Sequence, residues 1–155
     1  VDVSGFEVTA STVVDGPDSI SYPMALTYAR TTSEFQSSFD SDYFGTVASG
    51  DDIPYLPASQ LAAVVGFVTD TGLSGDMRLV KYGSACSTAQ CGQFENIESY
   101  TFLDLSLRQK LSESMTLYTV VENINDDVDI VSRAPKNGAR SQKPKSIKVG
   151  FTFNF

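Results

Sequence analysis

The chain ends Ser146-Ile147-Lys148-Val149-Gly150-Phe151-Thr152-Phe153-Asn154-Phe155. Val149, Phe151, Phe153 and Phe155 occupy alternate positions, with Lys148, Gly150, Thr152 and Asn154 between them. Successive side chains of a strand point to opposite faces, so the stretch predicts a β-strand with one wholly apolar side. Two environments accept such a strand. In a soluble sheet the apolar side covers a core and the polar side is wet. In a membrane-spanning barrel the apolar side meets lipid and the polar side lines the lumen. The remainder of the chain discriminates between them.

Composition narrows the classes. The 155 residues suffice for one ordinary domain, and 11 basic against 19 acidic residues give a net charge of −8. That balance argues against a nucleic-acid binder, which needs a basic footprint. The longest apolar run, Leu61 to Val68, has eight residues, far short of the ~20 that a membrane helix requires. Barrel strands need only ~10 residues with every second one apolar, so this limit does not touch them. The chain opens without Met in strand-like sequence, as expected of a mature or partial product. Histidine is absent, which removes the commonest general base and metal ligand. No nucleophile-elbow Ser and no glycine-rich phosphate loop is found, so enzyme activity and a resident cofactor are not expected. Cys86 and Cys91 lie in a Gly/Ser/Thr/Gln-rich stretch without further metal ligands. A loop-closing disulfide in an oxidising compartment is expected there rather than free thiols or a metal site.

Short alternating segments separated by turn-formers recur along the chain, an all-β pattern. Seven strands are expected, at about Val3–Val14, Tyr22–Phe39, Gln60–Thr69, Met77–Ser84, Tyr100–Leu111, Met115–Asn125 and Ser146–Phe155. The connections alternate. Short turns fall near Asp15-Gly16-Pro17-Asp18, Asp70 to Asp76 and Ser112-Glu113-Ser114, and long loops at 40–58, 83–99 and 126–145. The fifth strand, taken alone, fits both environments: Leu103, Leu105, Leu107 and Leu111 face one way, and Asp104, Ser106, Arg108 and Lys110 the other. The regular short–long alternation favours the membrane. Transmembrane barrels have short periplasmic turns and long extracellular loops, whereas soluble sandwiches have no reason to keep that asymmetry. The expected fold is therefore all-β, an antiparallel transmembrane β-barrel segment with its last strand descending toward the periplasm.

The terminal strand resembles the closing strand of bacterial outer-membrane barrels. In that family the aromatic positions corresponding to Phe151, Phe153 and Phe155 signal to the barrel-assembly machinery. From Tyr100 onward the sequence resembles the C-terminal end of a TonB-dependent outer-membrane receptor. The resemblance rests on Leu103-Asp104-Leu105, Glu122-Asn123-Ile124-Asn125-Asp126, Gly138-Ala139-Arg140, Pro144-Lys145 and Phe151-Thr152-Phe153-Asn154-Phe155. Gly5-Phe6-Glu7 and Gly50-Asp51-Asp52-Ile53-Pro54-Tyr55-Leu56-Pro57 extend it upstream. With Ser132-Arg133-Ala134-Pro135 the set is most similar to receptors of the ferric-citrate type. Two positions depart: the family's Asn-Leu-Phe-Asp is Asn-Ile-Asn-Asp here, and its Pro-Arg is Pro-Lys.

The resemblance implies that residues 1–155 are the C-terminal part of a barrel of about 22 strands with a plugged lumen. Seven strands cannot close, and open edges are not tolerated in lipid. The implied partners are an N-terminal barrel and plug portion, TonB acting through the plug, outer-membrane lipid and lipopolysaccharide, the assembly machinery and a ferric chelate. The implied location is the bacterial outer membrane. A passive porin-like barrel or an adhesin is the first alternative, and a soluble β-sandwich binding module the second.

Candidate ligand residues lie in the long loops. Five of the 11 basic residues, Arg133, Lys136, Arg140, Lys143 and Lys145, fall between Asp126 and Lys145. Charge focused at a mouth raises the local concentration of an anionic chelate, and Arg suits bidentate carboxylate recognition. Arg133 and Arg140 are the leading candidates, with Lys136 beside them. The same cations also suit lipopolysaccharide phosphates or a solvated loop. Tyr43, Tyr55 and Phe94 suit a vestibule or an interfacial girdle equally. Asp51 and Asp52 suggest Ca²⁺ ligation only weakly and read as a solvated loop.

Overall fold

In the computed structural model, residues 1–134 and 138–154 are described. Thirteen strands are present among them: β1 (Asp2–Asp15), β2 (Ser21–Glu34), β3 (Phe39–Ser41), β4 (Gly45–Val47), β5 (Ser59–Val68), β6 (Leu73–Tyr82), β7 (Ala85–Cys86), β8 (Asn96–Ile97), β9 (Tyr100–Lys110), β10 (Met115–Glu122), β11 (Ile130–Ser132), β12 (Arg140–Ser141) and β13 (Ser146–Phe153). Seven long strands form one sheet in the order β1-β2-β5-β6-β9-β10-β13, every neighbouring pair antiparallel. This is an up-and-down meander. It does not close on itself: β1 and β13 are its two outer strands. The remaining strands make three two-stranded ribbons, β3–β4, β7–β8 and β11–β12, one in each long connection. All three long connections lie at one end of the sheet and all three tight turns at the other.

The tight turns have local causes. Gly16 N–H donates to Ile20 O at 2.7 Å, with Asp18 and Ser19 in the left-handed region. Thr69 N–H donates to Leu73 O at 2.9 Å, and Gly72 takes φ 80°. Leu111 N–H donates to Met115 O at 2.9 Å. The second turn is shorter than its composition suggests. Ser74, Gly75 and Asp76 belong to β6, and Gly75 is the low point over which the Phe67 and Leu107 side chains converge. At the other end β2 stops at Glu34 rather than near Phe39. Phe35 turns away to pack with Val47 and Ala89, and Phe39 starts a ribbon of its own.

Register separates the two faces. The partners Phe6↔Arg30, Val8↔Tyr28, Tyr28↔Leu61, Leu26↔Ala63, Ala63↔Leu79, Leu79↔Leu103, Leu105↔Val121 and Val121↔Ile147 carry a single face across all seven strands. Met24, Val65, Met77, Leu117, Val149, Phe151 and Phe153 share it. The opposite face carries Glu7, Thr9, Thr27, Gln60, Arg78, Asp76, Asp104, Ser106, Arg108 and Lys148. It is mainly polar, with Val13, Val64, Val68, Val80, Phe102 and Val120 among its apolar members.

No described residue covers the apolar face. Among the described residues the buried hydrophobics are Phe35, Val47, Ala89 and Ile97, all in the long connections. Val8, Leu26, Met77, Val149 and Phe153 stand 59%, 49%, 48%, 65% and 56% exposed. Seven strands ~4.8 Å apart and about nine residues tall give a face on the order of 900 Å², well above the few hundred Å² that soluble monomers usually expose. The core expected beneath a soluble sandwich is not found among the described residues.

Gly150 shows how closely the polar face is packed. A Cβ there would stand 2.5 Å from Tyr118 Oη, because Tyr118 lies directly opposite on β10. Gly150→Ala is expected to cost about 1 kcal/mol by overpacking. Adding Tyr118→Ser should recover it, as read from urea unfolding of the folded protein.

Candidate ligand-binding mouth

The first long loop, 35–58, folds on a small apolar cluster of Phe35 and Val47, with Phe44 and Ile53 packed against them and Ala89 contributed by the second loop. Asp51 fixes its turn: the carboxylate accepts the Ala48 N–H at 2.7 Å, and the backbone carbonyl accepts the Phe35 N–H at 2.9 Å. The Asp51-Asp52 pair is thus engaged locally through Asp51. Among the described residues no group of three or more His, Cys, Asp or Glu is placed to hold a metal ion.

The second loop, 83–99, is closed by the Cys86–Cys91 disulfide, with Cα atoms 5.3 Å apart. The ring it makes grips the first loop at two backbone points. Ala89 N–H donates to Phe44 O at 3.2 Å, and Cys86 O accepts the Tyr55 N–H at 2.7 Å. Ala89, 8% exposed, enters the apolar cluster between them. The first two loops are therefore one packed body. Replacing both cysteines with Ser should weaken it by about 2 kcal/mol, the chain-entropy value for so short a ring. Hydrogen exchange over 85–92 and 44–55 would report the loss together.

The third loop, 123–145, is fastened at its stem. Asn123, 3% exposed with φ 50°, donates through Nδ2 to Asp127 O at 2.9 Å and Lys143 O at 2.8 Å, and accepts the Asp127 N–H at 3.1 Å. Its own N–H donates to Asp104 Oδ1 at 2.9 Å, and Asp126 Oδ1 accepts the Lys145 N–H at 2.9 Å. The two ends of the loop are thereby tied to each other, and the Asn123 end is tied to β9.

Below the loops the polar face presents two features. Tyr82 and Tyr100 stack at 5.1 Å, and Phe102 meets both edge-on at 6.3 and 5.6 Å. Closer to the tight turns lies a polar ladder. Ser106 donates to Asp76, and Arg108 pairs with Asp76 at 3.5 Å. At the rim Lys148 and Ser146 both bond Glu122, at 2.8 and 2.9 Å.

The candidate ligand residues occupy separate places. Arg133 lies between the second and third loops, its Nε donating to Asn96 O at 3.2 Å. It borders a cavity of about 370 Å³ that Glu98 and Asp129 also line. Arg140 is exposed on β12, across from Ser132. Tyr43 is 87% exposed at the tip of the β3–β4 ribbon, and Tyr55, with φ 61°, is joined to the disulfide ring through its N–H to Cys86 O. Phe94 is 70% exposed on the second loop. Lys136 and Phe155 fall outside the described residues. Phe151 and Phe153 stand on the apolar face with ring centroids 6.4 Å apart.

Two features of the mouth do not emerge from the sequence: the Tyr82–Tyr100–Phe102 cluster and the Asn123 clamp. A signal for the first is present, since Tyr100 and Phe102 share the parity of Asp104 and Ser106, opposite to the leucines.

No protein-family profile matches the chain, and no curated protein does. Among solved structures it is similar to the ferric-catecholate import receptor Fiu from Escherichia coli K12 in its closed form, with a TM-score of 0.59 and 13% identity. The superposition covers 99% of this chain and 28% of that receptor. The chain thus spans little more than a quarter of the protein it matches. At that identity the likeness shows a shared fold: the seven-stranded sheet superposes on part of that receptor's chain.

Proposed function

We propose that the chain is a C-terminal part of the barrel wall of a TonB-dependent outer-membrane receptor that imports a ferric chelate. One observation carries the reading. A seven-stranded meander with an uncovered apolar face and all its long loops at one end superposes over nearly its whole length on part of a ferric-catecholate import receptor. In this arrangement the apolar face meets lipid, the polar face lines the lumen and the long loops form the extracellular mouth. The free edges of β1 and β13 pair with strands contributed by the rest of the receptor, since lipid leaves no unpaired edge satisfied. A plug fills the lumen and relays the energy of TonB. Phe151, Phe153 and Phe155 serve recognition by the assembly machinery.

Chelate contacts fall to the mouth. Arg140, exposed on the third loop, and the aromatic cluster of Tyr82, Tyr100 and Phe102 at the top of the lumen wall are the groups available to an anionic or ring-bearing chelate. Tyr43 and Tyr55 lie further out, and Arg133 is held by Asn96.

The test is growth of cells carrying the full-length receptor as sole route for a ferric chelate, with and without TonB. Growth that requires TonB supports active import, whereas growth independent of TonB establishes the passive porin-like alternative. A polypeptide that stays monodisperse in buffer without detergent removes the membrane reading altogether.

A further inference from the structure

The apolar face is not uniform along its height. Its strand residues include four charged side chains, Asp2, Arg30, Glu34 and Lys81, and all four lie at the long-loop end. The turn end, with Val14, Tyr22, Leu73, Gln109, Met115 and Phe153, carries none. Arg30 and Lys81 are exposed, and neither is in an ion pair among the described residues. They flank one strand: Arg30 is the partner of Ser59 on β5, and Lys81 the partner of Leu61, two residues on. Their backbones are thus about 10 Å apart across the sheet and about 7 Å along it. Ser59 lies between them. Its hydroxyl is left open because Gly83 beside it has no side chain; a Cβ there would stand 2.8 Å from Ser59 Oγ. Thr101, the partner of Lys81, adds a second hydroxyl. Phe6 stands opposite Arg30 and Tyr28 one step below it, with ring centroids 6.1 Å apart. Aromatic rings topped by long cations mark the level of lipid headgroups. Further out Asp2 faces Glu34. The face turns acidic there, so an anion is confined to the level of the two cations.

We propose that Arg30 and Lys81, with Ser59 between them, bind the phosphates of a lipid headgroup in the leaflet on the long-loop side. The occupant is a phosphorylated lipid of net negative charge, whose acyl chains run down the apolar face past Leu61, Leu26 and Ala63. A zwitterionic headgroup carries its own cation and gains little from two more, whereas an anionic headgroup gains from each. The absence of charge at the turn end matches a site that belongs to one leaflet alone. The inference rests on the reading that this face meets lipid; it needs no plug, TonB or ferric chelate. The two cations lie on the face opposite the lumen, apart from any contact with cargo.

The experiment titrates lipid A, a diphosphorylated glycolipid, and its dephosphorylated counterpart into the full-length protein in zwitterionic detergent, with bound lipid counted by native mass spectrometry. The phosphorylated lipid should bind unsubstituted protein about 25-fold more tightly than the dephosphorylated one. Arg30→Gln and Lys81→Gln should each remove about fivefold of that preference, the worth of one cation beside an anionic headgroup. The double substitution should remove both, because the positions are far enough apart to add. Arg78→Gln removes an exposed cation from the polar face and should change nothing. Salt should shrink the preference. Full preference in the double variant overturns the proposal, as does an equal loss in Arg78→Gln. A loss that follows Arg140→Gln instead moves the contact to the third loop and overturns it too. Displacement of lipid A by inorganic phosphate at equal concentration also overturns it, since the site then takes a free anion rather than a headgroup. The comparison of the two lipids needs no substitution, so a misfolded variant does not shelter the proposal. Equal binding of both lipids overturns the proposal alone; failure of both to bind overturns it together with the lipid reading of the face.

Discussion

Asn123→Ala is expected to release the base of the third loop at a cost of about 3 kcal/mol, read as faster amide exchange over 126–145 with the sheet unaffected. Three backbone groups depend on this side chain: Asp127 N–H, Asp127 O and Lys143 O. Each buried polar group left without a partner costs ~1–3 kcal/mol, and an opened loop regains part of that from water. The residue is 3% exposed, so water does not already share the bonds. Its φ of 50° adds a second term, because Asn tolerates the left-handed region better than Ala. Asn123→Gly separates the two: it accepts the dihedral and lacks the amide. If Asn123→Gly leaves exchange at the unsubstituted level, the clamp carries no weight and the loop is held elsewhere. Asn123→Asp should be nearly as damaging as Ala, since it loses both donated bonds and adds charge beside Asp104 and Asp127.

The same residue illustrates what the sequence discloses and what it withholds. Glu122-Asn123-Ile124-Asn125-Asp126 is recognisable as a family-like stretch, but the stretch does not reveal that Asn123 spans to Lys143, twenty positions on. Strand positions were legible because alternation is local. Leu103, Leu105 and Leu107 announce β9 without reference to any other strand. Register across the sheet was less so, because it depends on turn length, and the turn after β5 is shorter than its Gly- and Asp-rich composition suggests. That uncertainty hid the meeting of Tyr82 with Tyr100 and Phe102. Strand ends set by tertiary contacts were not legible either: Phe35 leaves β2 for a cluster completed by Ala89 from another loop. Charge totals were plain throughout. Their direction was not, because only the fold shows that Arg133 points to a carbonyl of its own chain.

Leu26→Arg and Thr27→Arg should differ by about 2–4 kcal/mol in unfolding free energy although the residues are adjacent, at one depth of one strand. Leu26 lies on the apolar face, 49% exposed, between Ala10 and Ala63. Thr27 lies on the polar face, where its hydroxyl meets Thr9 Oγ1 at 3.0 Å. Both sit near the middle of β2. Arg on the lipid side of a barrel costs ~2–4 kcal/mol near the bilayer midplane, whereas lumen substitutions chiefly tune selectivity. A water-facing sheet gives a different result: with Leu26 half in solvent, Arg there is close to neutral, and surface changes of that kind stay within about 0.5 kcal/mol. The measurement is reversible urea unfolding of the full-length protein in lipid vesicles. Equal effects at the two positions, or the larger loss at Thr27, would reject lipid as the partner of the apolar face. The comparison does not depend on substrate, plug or TonB, because it asks only which solvent the alternating pattern was built to meet.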